Sequence, residues 1–206
     1  MKIVKQSHEI LSYPDNVLQD IEIAARTCYK SEDKITKGSA EKLVARLLKS
    51  GHEAMLEFGD VTIRFITNRG VTHELVRHRI GTSFAQESTR YVKYDGEMEF
   101  ILPVWFDENE VIDVPLDQRI WYTTLEVIER SYRRLLERGW KAQQAREILP
   151  NSLKTEIVVK CNLRELRHIL KLRCASNAHP QMYSLMRPLL KELQEKIPII
   201  FDDITY

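Results

Sequence analysis

The sequence predicts a mixed α/β fold in which helices outnumber strands. Apolar residues recur at helical spacing in several long segments, the longest being Leu116 to Arg138. Between these segments lie short runs in which apolar and polar residues alternate, or in which β-branched residues concentrate, as is typical of strands. A few strands separated by long helices fit a mixed α/β arrangement better than an all-helical bundle.

The first half of the chain is predicted to contain two strands and three helices. Ser39 favours a helix N-cap because its hydroxyl can accept a hydrogen bond from a backbone N–H, and Gly51 favours a helix end. In chain order we expect a strand over residues 2–6, a helix over 16–29, a helix that Ser39 caps and Gly51 ends, a strand over 61–66, and a short helix from about Val71 to Arg79.

The second half is predicted to contain two strands and four helices. Asn162 with Glu165 three positions later has the pattern of a capping box at a helix start. In chain order we expect a strand over 98–102, a helix over 116–138, a helix over 141–149, a buried strand over 155–161, a helix over 163–172 that Asn162 caps, and a last helix from His179 to about Lys196. Residues 94–99 and 107–113 are expected to be loops, and with no repeat or linker we expect one domain over residues 1–206.

Composition and charge describe an ordinary globular protein without a global preference for anions. Of the 206 residues 43% are hydrophobic and 30% are charged, which supplies enough apolar material for a core. The formal net charge of +1 gives the whole chain no electrostatic reason to bind nucleic acid or an anionic membrane. Any anion site must therefore be local.

The cysteines and the apolar runs predict a cytoplasmic protein that does not span a membrane. Cys28, Cys161 and Cys174 are odd in number and show no CxxC spacing, so we expect reduced thiols and neither a disulfide frame nor a metal site. Cys161 lies in an apolar run and is expected to be inert, whereas a functional role for Cys174, which follows Arg173, stays open. No stretch reaches the roughly 20 apolar residues that span a bilayer, and the start lacks a signal-like apolar run.

One polar stretch, RHRIGTSFAQESTRY from Arg77 to Tyr91, carries most of the functional signal. If the preceding helix ends before Gly81, Arg77 lies on its last turn one turn above His73, and Arg79 lies in the following loop. Two interpretations remain open. The arginines can simply stabilise the helix C-terminus, or the loop from Gly81 to Thr89 can form a phosphate cradle from backbone N–H groups, hydroxyls and guanidinium groups.

The same stretch resembles the signature of the flavin-dependent thymidylate synthases, an Arg-His-Arg followed by seven residues and a serine. The resemblance continues in four further blocks in the same order: AARTCYKS at Ala24 to Ser31, GHEAMLEF at Gly51 to Phe58, AREILPNSLKTEIVVKCNLRELRHILKLRC at Ala145 to Cys174, and AHPQM at Ala178 to Met182. One such motif is weak, but five ordered motifs across most of the chain are specific. The resemblance implies a central, mostly antiparallel sheet flanked by long helices.

The chain departs from the family pattern at three points. Eight residues, not seven, separate Arg79 from Ser88, so one extra residue falls within Ile80 to Ser83. Phe58 stands where many members have a histidine, and Glu74 where some have a glutamine.

The resemblance implies an activity and a set of site residues. The family converts deoxyuridine monophosphate (dUMP) to thymidylate (dTMP), with methylenetetrahydrofolate as one-carbon donor, FAD as cofactor and NADPH as reductant. Carried onto this chain, the residues expected to bind FAD are His52, Arg77, His78, Arg79, Gln86, Asn162, Arg164 and His168. Those expected to bind substrate are Glu74, Arg77, Gln86, Glu87, Ser88, Arg90, Arg146 and Arg173.

Two of these residues are expected to take part in catalysis. Arg173 would reach the pyrimidine and stabilise the negative charge that develops as C5 becomes nucleophilic. Ser88 has no partnered base in the motif, so it is expected to act as a hydrogen-bond donor and not as a nucleophile. Without a compelling cysteine, the chain fits a family in which no enzyme thiol need attack the pyrimidine.

The resemblance also implies a homotetramer with active sites built between subunits, for which the helix at 116–138 and the last helix are candidate interfaces. Two rival functions remain. A nucleotide- or RNA-binding module is disfavoured by the near-zero net charge, and a flavin reductase would bind FAD without methylating anything.

Overall fold

The computed structural model describes residues 1–106 and 115–206, and the helices and strands below refer to these ranges. The helices are α1 (Val17–Thr27), α2 (Ser39–Lys49), α3 (Arg69–Leu75), α4 (Leu116–Glu137), α5 (Ala142–Ala145), α6 (Leu163–Arg173), α7 (Pro180–Lys196) and α8 (Pro198–Phe201). The strands are β1 (Lys2–Val4), β2 (Ser7–Ser12), β3 (Asp60–Asn68), β4 (Thr82–Gln86), β5 (Glu99–Ile101) and β6 (Lys154–Asn162). Short 3₁₀ turns cover Glu32–Lys34, Glu53–Phe58 and Arg146–Ile148. The predicted mixed α/β fold is confirmed.

A four-stranded sheet with the order β2-β3-β6-β4 is the main sheet. Along β4 and β6 the hydrogen bonds run from Asn162 N to Gly81 O and from Glu87 N to Glu156 O, so residue numbers rise on one strand as they fall on the other. This is an antiparallel ladder, as the resemblance implied. A separate two-stranded sheet pairs β1 with β5 in parallel.

The chain forms two compact units, each assembled from three separated segments. Unit 1 comprises Met1–Ser7, Ile66–Leu75 and Ala85–Ile157, and unit 2 comprises His8–Phe65, Val76–Phe84 and Val158–Tyr206. A single domain over residues 1–206 stays a prediction.

Unit 1 has a core around α4. Phe100 from β5 and Leu125 and Tyr132 from α4 are buried together with Ala145 and Leu153. The predicted helix at 116–138 is confirmed as α4, and it ends before Gly139, whose φ of +90° suits glycine.

Unit 2 has a core built on α7, which also confirms the predicted last helix. Its buried stripe follows helical spacing and consists of Met182, Leu185, Met186, Leu189, Leu190 and Leu193. Charged side chains are enclosed in this unit as well, among them Arg167. The Arg167 guanidinium, 2% exposed, donates to Asp203 Oδ1 at 2.6 Å and to Asp203 Oδ2 at 2.7 Å, so its charge is paired.

Several local predictions need correction. Ser39 does not cap α2, because Gly38 holds the N-cap position with φ +78°. The Ser39 hydroxyl instead accepts from Thr36 N at 2.9 Å and donates to Glu22 Oε2 at 2.8 Å. The predicted helix at 141–149 is a short α5 followed by a 3₁₀ turn, and β2 and α8 were not predicted. The loop expected at 107–113 lies outside the described residues.

Among the helices in the described ranges, none combines the length and the apolarity that crossing a membrane requires.

Candidate functional site

The start of the Arg77–Tyr91 stretch does not continue the helix before it. Helix α3 ends at Leu75, so the prediction that Arg77 lies on its last turn, one turn above His73, is wrong. Arg77 lies in a turn, and from there successive side chains alternate between exposed and buried positions. Arg77 and Arg79 are exposed, whereas His78 between them is buried. The two arginines are therefore available to solvent or to a ligand.

The middle of the stretch is a strand and not the predicted loop. Thr82 to Gln86 form β4 at one edge of the main sheet, directly after Gly81 with its φ of +64°. The glycine and the hydroxyls indicated a loop, but pairing with β6 outweighs that local preference. One of the two open interpretations was a phosphate cradle formed by a loop from Gly81 to Thr89. Because Thr82 to Gln86 form a strand, only Gly81 and the residues after Gln86 have a loop backbone in this stretch.

In unit 2, the buried His78 lies at the centre of a polar cluster, which we call the His78 cluster: His78, Glu165, His168 and Arg173. Arg173 Nε–H donates to His78 Nε2 at 3.0 Å. Nδ1 of the same imidazole lies 3.3 Å from Glu165 Oε1. The His168 ring stands edge-on to it at 5.9 Å between centroids. Residues from the Arg-His-Arg motif and from α6 therefore meet in one place.

The surroundings of His78 keep its imidazole neutral. Burial, followed by the charges of Arg173, His168 and Arg77, lowers the pKa of His78 from 6.5 to about 4. Since Nε2 accepts from Arg173, the ring proton of the neutral form belongs on Nδ1, facing Glu165. Burial raises the pKa of Glu165, against the opposing charges of His168 and Arg164. The contact between His78 and Glu165 is therefore between a neutral ring and a carboxyl group.

Asn162 joins the start of α6 to the start of β4. Its side-chain Oδ1 accepts from Glu165 N at 2.8 Å, which confirms the predicted N-cap. Its backbone N donates to Gly81 O at 3.0 Å. A Cβ added at Gly81 would lie 2.0 Å from Asn162 Nδ2, so only glycine allows this approach.

The predicted capping box is formed only in part. In a full box the Glu165 carboxylate would accept from Asn162 N, but that N–H is bonded to Gly81 O. The Glu165 carboxylate faces His78 instead. The Glu165 side chain, which would complete the capping box, therefore belongs to the His78 cluster.

The other FAD-binding candidates of unit 2 lie on its surface. Arg164 Nη1 donates to Glu57 Oε1 at 2.7 Å, and both side chains are about half exposed. His52 is exposed and precedes the 3₁₀ turn at Glu53–Phe58. Arg164 and His52 line one cavity of about 340 Å³ together with Cys28, Tyr29 and Met55.

In unit 1, Gln86 is engaged in a polar network at the end of β4. Its Nε2 donates to Thr72 Oγ1 at 3.0 Å and to Thr155 Oγ1 at 3.3 Å. Thr72 and Thr155 are buried, so these bonds satisfy polar groups that lack water. The amide nitrogen of Gln86 thereby holds the strand end in place, and its Oε1 is the atom left to meet a ligand.

Glu87 is held by a tyrosine that the sequence did not single out. Tyr94 O–H donates to Glu87 Oε1 at 2.5 Å. Burial, followed by this hydrogen bond and the charge of Glu87, raises the pKa of Tyr94, so the phenol stays protonated. Arg69 Nη1 is buried without a hydrogen-bond partner among the described residues.

The remaining substrate candidates of unit 1 lie close to the surface. Ser88 Oγ accepts from Arg90 N at 3.4 Å, which is a turn contact and gives the hydroxyl no base. Arg90 is exposed and lies over the Tyr91 ring at 5.4 Å. Arg146 is half-buried, and its Nε lies 3.6 Å from Glu147. Glu74, on α3, is half-buried.

The buried cysteines are poor nucleophiles. Burial raises the pKa of the Cys161 thiol and of the Cys174 thiol to about 12 in each case. The expectation that Cys161 is inert is confirmed, and Cys174 has the same character.

The ligand atoms of His78, Glu165 and His168 lie within 4.8 Å of one another, a spacing that suits a metal ion. The Arg173 guanidinium beside His78 opposes a second cation there. The structure thus offers a donor triad whose neighbouring guanidinium disfavours a metal cation.

Sequence reasoning missed Glu165 and Tyr94 as site residues. Glu165 was interpreted only as part of a capping box, and its spacing gave no sign that it faces His78. Tyr94 lies in a stretch predicted as a loop, where an aromatic residue among polar ones was the available signal.

Comparisons with known proteins agree on one family. A sequence model described as thymidylate synthase complementing protein matches residues 9–199. A flavin-dependent thymidylate synthase from Corynebacterium aurimucosum is 34% identical over 89% of this chain and 78% of its own length. One from Pyrococcus furiosus is 32% identical over 91% and 78%.

Solved structures resemble the chain along nearly its whole length. Thymidylate synthase X from Helicobacter pylori, crystallised with FAD and dUMP, superposes with a TM-score of 0.77 at 26% identity and covers 97% of this chain and 98% of its own. The UMP/dUMP methylase PolB from Streptomyces cacaoi superposes with a TM-score of 0.79 at 24% identity and covers 98% and 96%, which supports the fold.

Proposed function

Because the chain belongs to the thymidylate synthase complementing protein family, we propose that it is a flavin-dependent thymidylate synthase that methylates dUMP to dTMP. The observation that carries the proposal is the hydrogen bond between Arg173 and His78. It brings two motifs of the family signature together across 95 residues of sequence. A shared fold alone would not require these two side chains to be in contact.

The polar groups of unit 2 fit FAD. The cofactor presents a diphosphate and a ring edge with several hydrogen-bonding atoms. Arg77 and Arg79 are exposed guanidinium groups that suit the diphosphate. The neutral His78 and the Asn162 amide suit a polar ring edge without adding a charge. When bound, the flavin supplies the reducing equivalents of the methylation.

The end of β4 in unit 1 fits nucleotide recognition. Gln86 Oε1 and the Glu87 carboxylate are oriented by Thr72, Thr155 and Tyr94, so each is held ready for the polar edge of a ligand. Ser88, Arg90 and Arg146 offer a hydroxyl and two guanidinium groups, which suit a phosphate. Glu74 stays a substrate-binding prediction from the family motif.

Arg173 is proposed to stabilise negative charge on the pyrimidine. Its Nε–H is committed to His78, which fixes the plane of the guanidinium and directs its terminal nitrogens. A cation that is already oriented loses little free energy in reorganising as charge develops. The proposed role of His52, Arg164 and His168 is to line the flavin, as the family motif implies.

The finer parts of the proposal concern co-substrates, assembly and location. We propose methylenetetrahydrofolate as the one-carbon donor and NADPH as the reductant. We also propose a homotetramer with active sites between subunits. Helix α4 leaves Leu116, Ile120 and Val127 exposed, which suits an interface, whereas the apolar stripe of α7 is buried within its own unit. A cytoplasmic location stays a prediction.

The decisive experiment uses the purified protein without a separate reductase. We expect flavin absorbance near 450 nm and formation of dTMP from dUMP, methylenetetrahydrofolate and NADPH. NADPH consumption without any folate-dependent product would instead identify a flavin reductase. Absence of both flavin and product would end the proposal.

A further inference from the structure

Arg69, the first residue of α3 in unit 1, is a half-buried cation to which the proposed function gives no role. Its Nη1 is enclosed and has no hydrogen-bond acceptor among the described residues. Within residues 1–106 and 115–206, no carboxylate forms an ion pair with its guanidinium either. Because an enclosed donor without an acceptor is costly in free energy, we expect the acceptor to come from outside these residues.

The backbone of Arg69 is held in place on both sides. Its N–H donates to Asn151 O at 3.0 Å, and its carbonyl accepts from Thr72 Oγ1 at 3.0 Å. Thr72 Oγ1 in turn accepts from Gln86 Nε2 at 3.0 Å. Thr72 is 2% exposed, so this chain of hydrogen bonds lies away from water. The position of Arg69 is therefore fixed by the same bonds that hold Gln86, a residue of the proposed nucleotide site.

The side chain of Arg69 lies near the second ordered residue of that site, which is Glu87. Tyr94 O–H donates to Glu87 Oε1 at 2.5 Å. Burial and Glu87 raise the pKa of Tyr94, and the positive charge of Arg69 opposes that rise. The charge of Arg69 thus reaches the phenol that orients Glu87. Its guanidinium is a neighbour of the nucleotide site whose hydrogen-bonding capacity is unused by the described residues.

The chemistry of a guanidinium selects the kind of group that it can bind there. It offers several N–H donors in one plane and no acceptor, so it pairs best with an anion that has two or more oxygens. In dUMP the phosphate is the only such group, since the pyrimidine presents neutral carbonyls. An enclosed cation also favours an anion more strongly than an exposed one does, because water competes less well for it.

We infer that Arg69 binds the phosphate of the nucleotide and is a further substrate-binding residue beside Ser88, Arg90 and Arg146. This inference rests on the proposed function, which supplies the nucleotide. Binding of the phosphate gives Nη1 the acceptor that it lacks among the residues of its own chain. The hydrogen-bonded backbone of Arg69 keeps the guanidinium close to its bound position before the nucleotide arrives.

The test separates the phosphate from the rest of the nucleotide. Calorimetry measures the binding of dUMP and of deoxyuridine to the FAD-loaded wild type, Arg69→Gln and Arg138→Gln. The two ligands differ only in the phosphate, so the ratio of their dissociation constants isolates its contribution. Arg138→Gln is the matched control, because it removes an exposed arginine of the same unit at the end of α4.

We expect Arg69→Gln to raise the dissociation constant of dUMP at least about tenfold, the loss typical of a hydrogen bond to a charged group. Its affinity for deoxyuridine should stay unchanged, and Arg138→Gln should leave both ligands unaffected. Equal weakening of dUMP and deoxyuridine would show that Arg69 acts on the nucleoside or on the fold. That result, or an unchanged affinity for dUMP, would overturn the inference.

Thermal unfolding checks for a purely structural role. Since the Arg69 side chain has no hydrogen bond or ion pair within the described residues, Arg69→Gln should unfold at no lower temperature than the wild type when nucleotide is absent. The rise in unfolding temperature on adding dUMP should be smaller in the variant. A marked fall without nucleotide would contradict the inference. Arg69→Lys keeps the charge without the planar fork, and we expect it to recover part of the dUMP affinity.

Formation of dTMP by the wild type is measured separately, so that the two proposals can fail independently. A wild type that binds dUMP and makes dTMP, with an Arg69→Gln variant that binds dUMP equally well, contradicts only the role of Arg69. A wild type that neither binds dUMP nor makes dTMP contradicts the proposed function itself.

Discussion

The Nε–H of Arg173 donates to Nε2 of His78 at 3.0 Å, although 95 residues separate them in the sequence. One partner is the middle residue of the Arg-His-Arg motif, and the other is the last residue of α6. The bond orients a guanidinium and selects one tautomer of a buried ring. It therefore couples the group proposed to stabilise the pyrimidine to the group proposed to bind the flavin.

We predict that Arg173→Ala abolishes methylation while FAD stays bound, because His78 keeps its contact with Glu165. The loss of an oriented charge-stabilising group typically lowers kcat by about 100- to 1000-fold. Arg173→Lys keeps the charge but lacks the planar fork, so we expect it to rescue only part of the rate. Single-turnover dTMP formation and the 450 nm absorbance provide the measurements. Near-normal turnover of Arg173→Ala would refute the role.

We predict that folding stability falls as pH drops from 6.5 to about 4. Between these pH values His78 is protonated in the unfolded chain but stays neutral in the folded chain, where its pKa is lowered. Protonation therefore favours the unfolded state as the pH falls. The loss attributable to His78 is at most about 3.5 kcal/mol, at roughly 1.4 kcal/mol for each pKa unit between 6.5 and about 4. The groups that face this ring are Glu165, His168, Arg173 and Arg77.

The matched variant for this pH effect is His78→Gln, which can still accept from Arg173 but does not titrate. Urea unfolding across pH 4 to 7 compares the two proteins. Subtracting the variant's curve removes the contribution of the other groups, including Glu165, whose raised pKa acts with the opposite sign. Parallel curves for wild type and variant would show that His78 does not titrate as described.

The sequence predicted best what short-range chemistry decides. Asn162 was identified as the cap of α6 because capping depends on residues three positions apart. By contrast, Glu165 facing His78 depends on β4 and β6 lying side by side, which no local pattern encodes. For Thr82 to Gln86 the local pattern was misleading. Their hydroxyls and the preceding glycine predicted a loop, but pairing with the neighbouring strand makes this segment a strand.

We predict that Gly81→Ala is both destabilised and depleted of flavin. The new Cβ would lie 2.0 Å from Asn162 Nδ2, and the backbone would be strained at φ +64°. Strain alone costs about 1–2 kcal/mol, and the clash adds to it. Gly139→Ala has a φ of +90° but open space around its Cβ, so it measures the backbone strain without a clash. Gly96→Ala has neither a positive φ nor a close neighbour and serves as the baseline. Thermal unfolding and FAD content are measured for all three. Equal effects in Gly81→Ala and Gly139→Ala would argue against the Asn162 contact.

We predict that Tyr94→Phe weakens dUMP binding without changing FAD content. The substitution removes the O–H that donates to Glu87 at 2.5 Å and frees the carboxylate to rotate. A hydrogen bond to a charged group contributes about 1.5–3 kcal/mol, so the dissociation constant of dUMP should rise at least several-fold. Tyr91→Phe serves as the control because its ring is 76% exposed. Unchanged dUMP affinity in Tyr94→Phe would remove Glu87 from the nucleotide site.

We predict that Arg187, on α7, positions Arg173. Arg187 Nε donates to the carbonyl of Cys174, the residue after Arg173, at 3.0 Å. Its guanidinium carbon lies 4.2 Å from the Tyr183 ring centroid and 4.3 Å from that of Tyr206. An arginine stacked between two rings has little freedom, so it anchors the helix end. Arg187→Lys keeps the charge but loses both the Nε–H and the flat stacking surface.

For Arg187→Lys we therefore expect kcat to fall about tenfold, with KM for dUMP and FAD content changing much less, since Arg173 would be misaligned but still present. The exposed Lys191→Gln on the same helix is the control for a general effect on α7. These measurements distinguish an arginine that positions Arg173 from one that only stabilises the fold. A purely structural arginine would lower the unfolding temperature and leave the kcat of the folded enzyme intact. Arg187→Lys in an Arg173→Ala background should then add no further loss of rate, because the side chain that Arg187 positions is already gone.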